Sequence, residues 1–260
     1  ARQATYLDLQ RGRRSVTSPS SPGRRHYDFL IAPTGLLRTW ADGAVTRYDA
    51  SGKPAQVLEA HAQPALDVAV SPDGRTAATV GQSGEVVLWD VSPASGTWTR
   101  RESLVGHTGE VSSVEVSPDS TTLLTVSQDG MLITWDLTGT RGFAGTYGGL
   151  GDRWISSQIE VVEPGRVVVA PARTPPAWGE PGSGNVALVF LDPRTGREID
   201  RVPVGRTAEG AIFGSSVAVS PDRTRAAVTH IFGTAIVDAR THEVVGRLAL
   251  PPDGGAASGP

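Results

Sequence analysis

Five histidines, at positions 26, 61, 107, 230 and 242, are the side chains best suited to acid–base or metal chemistry near neutral pH in this 260-residue chain. His230 and His242 could begin a metal site, but no third ligand accompanies them at a sensible spacing, so both read as surface histidines. His26, in "GRRHYDF", reads as a loop or strand-edge residue. No Gly-x-Ser-x-Gly elbow and no His-Glu-x-x-His occurs. The glycine-rich "GSGN" at 182–185 lacks the lysine and following helix of a phosphate loop, and reads as a connector. With no cysteine, the chain has no thiol nucleophile, cysteine-held zinc or disulfide. The expectation is therefore of no catalytic, cofactor-binding or metal-ligating residues.

The charges point the same way. The arginines at 11, 13, 14, 24 and 25 form a basic strip that could meet phosphates or an acidic partner. The aspartates nearby, a net charge of −3 and the lack of interleaved aromatics argue instead for a solvated outer strand, with nucleic acid not the partner. No apolar run reaches the 18 or so residues of a membrane span, and no signal-like segment opens the chain, so a cytoplasmic location is expected. Lys53 is the single lysine among 24 basic residues, and the richness in Arg, Ala, Gly and Pro suggests a GC-rich bacterial genome.

What must position these residues is a repeat. "VSPDGRTAATVGQSGEVVLWD" at 70–90 is followed by "VSPDSTTLLTVSQDGMLITWD" at 116–136. Turn prolines recur at 33, 72, 118, 164 and 221. A strand-closing aspartate recurs independently at 8, 49, 90, 136, 192 and 238. Both markers return every 40–45 residues or so, apart from one longer interval that holds "RTPPAWGEPGSG", 173–184, read as a loop insertion. Within a unit, "VSSVEVS" alternates with period two, "TTLLTVS" and "MLITWDL" follow, and a weaker "RGFAGTY" closes it. No window carries helical spacing over three turns. The aspartates are one per unit and so are spread out rather than convergent.

Four-stranded units of this length predict an all-β chain built as a β-propeller. The segments 61–91 and 107–137 resemble WD-repeat units, in which a His, a second-strand Ser or Thr, a turn Asp and a third-strand Trp form a hydrogen-bonded network. His107, Thr125, Asp129 and Trp135 complete that set, whereas His61, Thr79 and Trp89 are joined by Ser83 in place of the Asp. Tyr48, Leu191 and Val237 occupy the Trp position of the remaining units. The resemblance implies a non-enzymatic scaffold that binds a protein or peptide on one ring face, as a sensory or regulatory module of a larger bacterial signalling protein. The alternative is a propeller enzyme or small-ligand-binding protein with its site at the central channel.

The expected layout is a single propeller over 1–250, of about five full blades plus a half blade. The half blade is 1–20, the blades are 24–60, 61–106, 107–149, 150–206 and 207–250, and 251–260 is a tail or linker. On this reading the missing strands come from the parent chain or a second chain. In WD-repeat propellers the second-to-third-strand loops and the loops between blades share a face. That puts the insertion and the loop "TYGGLGDRW", 146–154, together, so that Tyr147, Arg153, Trp154 and Trp178 are the expected partner-binding residues.

Overall fold

The computed structural model describes residues 4–8, 13–18, 26–32, 35–49, 51–139, 143–148, 155–162, 166–171, 185–192, 198–206, 216–230 and 233–249. These residues form 22 strands and no helix. The chain divides into two compact units, 1–146 and 147–260, which are taken in turn.

In the first unit β1 (Ala4–Asp8) and β2 (Arg13–Ser18) pair as a two-stranded sheet. Sheet I follows as β3 (His26–Ala32), β4 (Gly35–Trp40), β5 (Ala44–Tyr48) and β6 (Pro54–Glu59). Sheet II is β7 (Ala65–Val70), β8 (Thr76–Gly81), β9 (Val86–Val91) and β10 (Trp98–Leu104). Sheet III is β11 (Val111–Val116), β12 (Thr122–Ser127), β13 (Met131–Asp136) and β14 (Phe143–Gly148). In the second unit, sheet IV is β15 (Ile155–Val162), β16 (Arg166–Pro171), β17 (Asn185–Leu191) and β18 (Glu198–Arg206). Sheet V is β19 (Ser216–Val219), β20 (Arg225–His230), β21 (Gly233–Asp238) and β22 (Val244–Ala249). Every four-stranded sheet keeps its strands in chain order, so each is a simple meander.

Sheets of the first unit stack face to face, which explains why the middle strands read as unbroken apolar runs. On β9, Val87 and Trp89 pack with Leu37, Val45 and Leu58 of sheet I. Val86 and Leu88, on the opposite face of the same strand, pack with Val111, Leu123 and Ile133 of sheet III. Ala77 and Ala78 of β8 are fully buried, one on each face, so small residues set the close approach. Contacts between sheets also run through the first strands, β3 to β7 to β11. The second unit repeats the scheme, with Leu188, Phe190, Val202 and Val204 of sheet IV against Val217, Ala226, Val228 and Val237 of sheet V. Burying such side chains is worth about 1.5–3 kcal/mol each before chain entropy is counted.

The Ser-Pro-Asp turns have a common local cause. Ser71, Ser117 and Ser220 each donate their hydroxyl to the aspartate two residues on, Asp73, Asp119 and Asp222, at 2.5–2.6 Å. The serine hydroxyls are the largest influence holding all three carboxyls below the usual range, Asp222 at about 2. Gly74, Ser120 and Arg223 each take a left-handed φ, of 69°, 61° and 56°, in these turns.

Candidate functional site

The residues with chemical potential converge on two hubs, one in sheet II and one in sheet III. Each is built from a loop histidine, a second-strand threonine and a third-strand tryptophan. Register makes this possible: Thr79 stands opposite Val87 and Thr125 opposite Ile133, so Trp89 and Trp135, two residues further on, lie diagonally across from a hydroxyl on the same face.

In sheet III the Trp135 indole N–H donates to Thr125 Oγ1 at 2.9 Å, and His107 Nε2 lies 2.8 Å from the same oxygen. An indole N–H only donates, so Thr125 accepts from it; because the Asp129 carboxylate on the far side of the neutral ring only accepts, Thr125 gives its own proton to His107 Nε2. His107 then carries its proton on Nδ1, 3.0 Å from Asp129 Oδ2. Asp129 also accepts from the backbone N–H of Thr108 at 2.8 Å and of Met131 at 2.9 Å. Burial works to raise the Asp129 carboxyl, but these hydrogen bonds outweigh it and hold the group below the usual carboxylate range. Burial depresses His107, with Asp129 pulling the other way, so this is a neutral imidazole held for structure.

Sheet II has the same hub with one part changed. Trp89 donates to Thr79 Oγ1 at 3.0 Å and His61 Nε2 lies 3.0 Å from it. Exposed Ser83 stands where Asp129 stands in the next sheet, and His61 Nδ1 has no hydrogen-bond partner although the imidazole is wholly buried. Burial pushes His61 down to about 4. The nearest acid is Glu85, two residues past Ser83, whose Oε2 is 3.8 Å from His61 Nδ1. Its Oε1 is held by Arg100 Nη2 at 2.8 Å and Ser103 Oγ at 2.6 Å, both on β10. Gly84, at φ 82°, packs its turn against the loop entering sheet III, where a Cβ would come within 2.9 Å of the Gly109 carbonyl oxygen.

Sheet I carries a third arrangement that the spacing of its residues does not announce. Arg38 occupies the register position of Thr79 and Thr125, opposite Thr46. It is only 5% exposed, with its guanidinium carbon 5.2 Å from the centre of the Trp40 ring. The indole hydrogen bond survives with its strands exchanged, since Trp40 on β4 donates to Thr46 on β5 at 2.9 Å. Tyr48, at the tryptophan position, is buried beside Trp40. In sheet V, Val228 and Val237 fill the threonine and tryptophan positions and both are fully buried, so there the hub is apolar.

Two further polar contacts tie neighbouring sheets. Asp67 Oδ2, on β7, accepts from Ser113 Oγ at 3.0 Å and from the Val114 N–H at 2.9 Å on β11, so this first-strand carboxylate joins sheet II to sheet III. In the second unit, His242 is not a free surface residue. Its ring stacks on Phe190 at 4.0 Å, and Nδ1 lies 2.8 Å from Asp200 Oδ2. Three of the strand-closing aspartates serve local turns, Asp49 accepting from Ser51 and Lys53, Asp136 from Thr138, and Asp238 from Arg240 and Thr241, while Asp90 accepts from Arg101 on β10.

Of the expected partner-binding residues, Arg153, Trp154 and Trp178 lie outside the described residues, as does the insertion at 173–184. Tyr147 falls at the end of the fourth-strand run "RGFAGTY" and in the expected loop "TYGGLGDRW" at once, and its backbone is strand. It belongs to strand β14, which continues through Gly148, so the loop after sheet III starts later than 146 because "FAGTYG" pairs as a fourth strand.

Comparison with known families gives two matches to the WD domain, G-beta repeat, at residues 52–90 and 98–136. The chain carries WD repeats. Each matched segment takes the last strand of one sheet and the first three of the next, β6 to β9 and β10 to β13, so the sequence unit of a WD repeat is offset by one strand from the sheet. Both matches end on the aspartate after the hub tryptophan. Comparison with curated proteins gives no match.

Proposed function

We propose that the chain is a β-propeller of WD-repeat type, with the four-stranded sheets as its blades, and that it acts as a non-enzymatic scaffold or regulatory module within a bacterial signalling protein. WD repeats commonly mediate protein–protein interaction. The observation that carries the reading is where the reactive side chains go. His61, His107 and Asp129, the best acid–base groups of the matched repeats, are tied into the hubs beneath the surface. Asp67, on a first strand where a central-channel site would need a free carboxylate, is bound to Ser113 and Val114. These groups hold sheets together, and the surface is left to recognition.

The partner is a protein or peptide, engaged on the face formed by the loops between sheets, with Tyr147, Arg153, Trp154 and Trp178 as its contacts. Cross-linking mass spectrometry on the chain in its source cells, wild type against Trp154→Ala and Trp178→Ala, tests this. A cross-linked partner that both variants lose, with their circular dichroism unchanged, supports the reading. Cross-links that map elsewhere and survive both substitutions overturn the proposed face.

A further inference from the structure

The unpartnered Nδ1 of His61 and the Oε2 of Glu85 lie side by side, too far apart for a hydrogen bond. The imidazole is wholly buried and Nδ1 has no partner among the described residues; when Thr79 donates to Nε2, as Thr125 does to His107, the neutral ring carries its hydrogen on Nδ1. Glu85 uses Oε1 for Arg100 and Ser103 and turns Oε2 toward the histidine, at 3.8 Å. A hydrogen bond needs about 2.7–3.2 Å, so a small rotation of the glutamate separates the two arrangements.

We infer that Glu85 is a two-position carboxylate: in one position it is held on β10 by Arg100 and Ser103, and in the other it closes onto His61 and does for sheet II what Asp129 does for sheet III. The second position gives the buried Nδ1 the partner that Ser83 does not supply, with the imidazole hydrogen on Nδ1 and Thr79 donating to Nε2. The first is kept by a guanidinium whose side chain is 44% exposed, so whatever engages Arg100 from outside releases Glu85 inward. The exposed side of β10 and the buried hub of the second sheet are thereby coupled through a single side chain. This inference is independent of the identity of any partner.

The groups facing the pair come from three elements. His61 lies on the loop before β7, Glu85 and Ser83 on the turn before β9, and Arg100 and Ser103 on β10. Sheet III has no comparable choice, because Asp129 is fixed by His107 and by two backbone amides at once.

Imidazole nitrogen and proton NMR of the full chain tests the inference with Arg100→Met, Glu85→Ala and the double variant. In Arg100→Met, Glu85 moves to His61. The Nδ1 proton becomes protected from exchange at least tenfold, and the pH at which His61 titrates rises by roughly a unit or more. Losing the arginine charge also raises that pH, so the double variant separates the causes: the protection disappears when residue 85 is Ala and has no acceptor, while a pure charge effect persists. Should Arg100→Met leave Nδ1 exchange unchanged, or should the double variant keep the full protection, Glu85 has one position and the inference fails.

Discussion

The side-chain amide of Gln56 and the backbone of Trp98 form a closed pair: Gln56 Nε2 donates to the Trp98 carbonyl oxygen at 2.7 Å, and the Trp98 N–H donates to Gln56 Oε1 at 2.9 Å. Gln56 lies on β6 and Trp98 begins β10, so an amide on the last strand of sheet I meets the last strand of sheet II as a neighbouring backbone would. The two residues stand in the first strands of the two successive WD repeats. The pair ties the last strands of adjacent sheets together beside the core cluster that holds Leu58 and Trp98.

Removing this amide leaves two backbone groups beside a buried indole without partners. Gln56→Ala is therefore expected to cost about 1–3 kcal/mol, read as a lower urea midpoint at unchanged slope. Gln56→Glu keeps the acceptor and loses the donor, so it should fall between the two. Equal midpoints for wild type and Gln56→Ala would mean that water replaces the amide at no cost.

The hubs make a sharper prediction. Thr125→Val preserves shape and removes the one oxygen that serves both Trp135 and His107. Two buried groups then lack a partner, and the loss should be about 2–4 kcal/mol, with a shift of the Trp135 fluorescence. The corresponding change in sheet V has already been made by the sequence, where Val228 and Val237 are buried together, so polarity there is absent from both partners and costs nothing. Changing Val228 to Thr alone should destabilise, because it buries a hydroxyl opposite an apolar side chain.

How much of this could be read from the residues follows from where each signal lies. Strand alternation, Ser-Pro-Asp turns and the His-Thr-Trp spacing are local to one unit, so the WD resemblance and both hubs could be named down to Thr79 and Thr125. Arg38 was missed because its role depends on register: only the pairing with Thr46 shows that it sits at the hub position. Gln56, Asp67 and Glu85 were missed for another reason. Gln56 and Asp67 act on residues 42 and 46 positions away in sequence, in the next sheet, and Glu85 matters because it lies near a histidine that a conventional repeat would satisfy otherwise. Aligning the units and asking what replaces the absent Asp at Ser83 is the one sequence test that would have pointed to Glu85.

That replacement is itself testable. Ser83→Asp installs in sheet II the carboxylate that sheet III already has, within reach of the unpaired His61 Nδ1. It is expected to stabilise the chain by about 1–2 kcal/mol, and Asp129→Ser should destabilise it by at least as much, since three donors lose their acceptor there. Differential scanning calorimetry of the two variants decides it, and a lower midpoint for Ser83→Asp would show that the turn cannot accommodate the carboxylate.

Acid should act first on sheet II. His61 is held neutral by burial down to about 4, against about 6.5 in the unfolded chain. Between those values the unfolded state binds the extra proton, so stability is complete above about pH 6.5 and declines as the pH falls toward 4, by on the order of 3 kcal/mol for this one group. His107 is depressed in the same direction and adds to the decline. Urea midpoints from pH 4 to 8 should therefore fall steeply for the wild type and less steeply for His61→Gln, whatever its stability at neutral pH. Ser83→Asp should flatten the same limb by a different route, because a carboxylate on Nδ1 lets the folded protein hold the proton too. Parallel curves for wild type and His61→Gln would place the acid sensitivity between pH 4 and 8 in His107, and would remove His61 from the account.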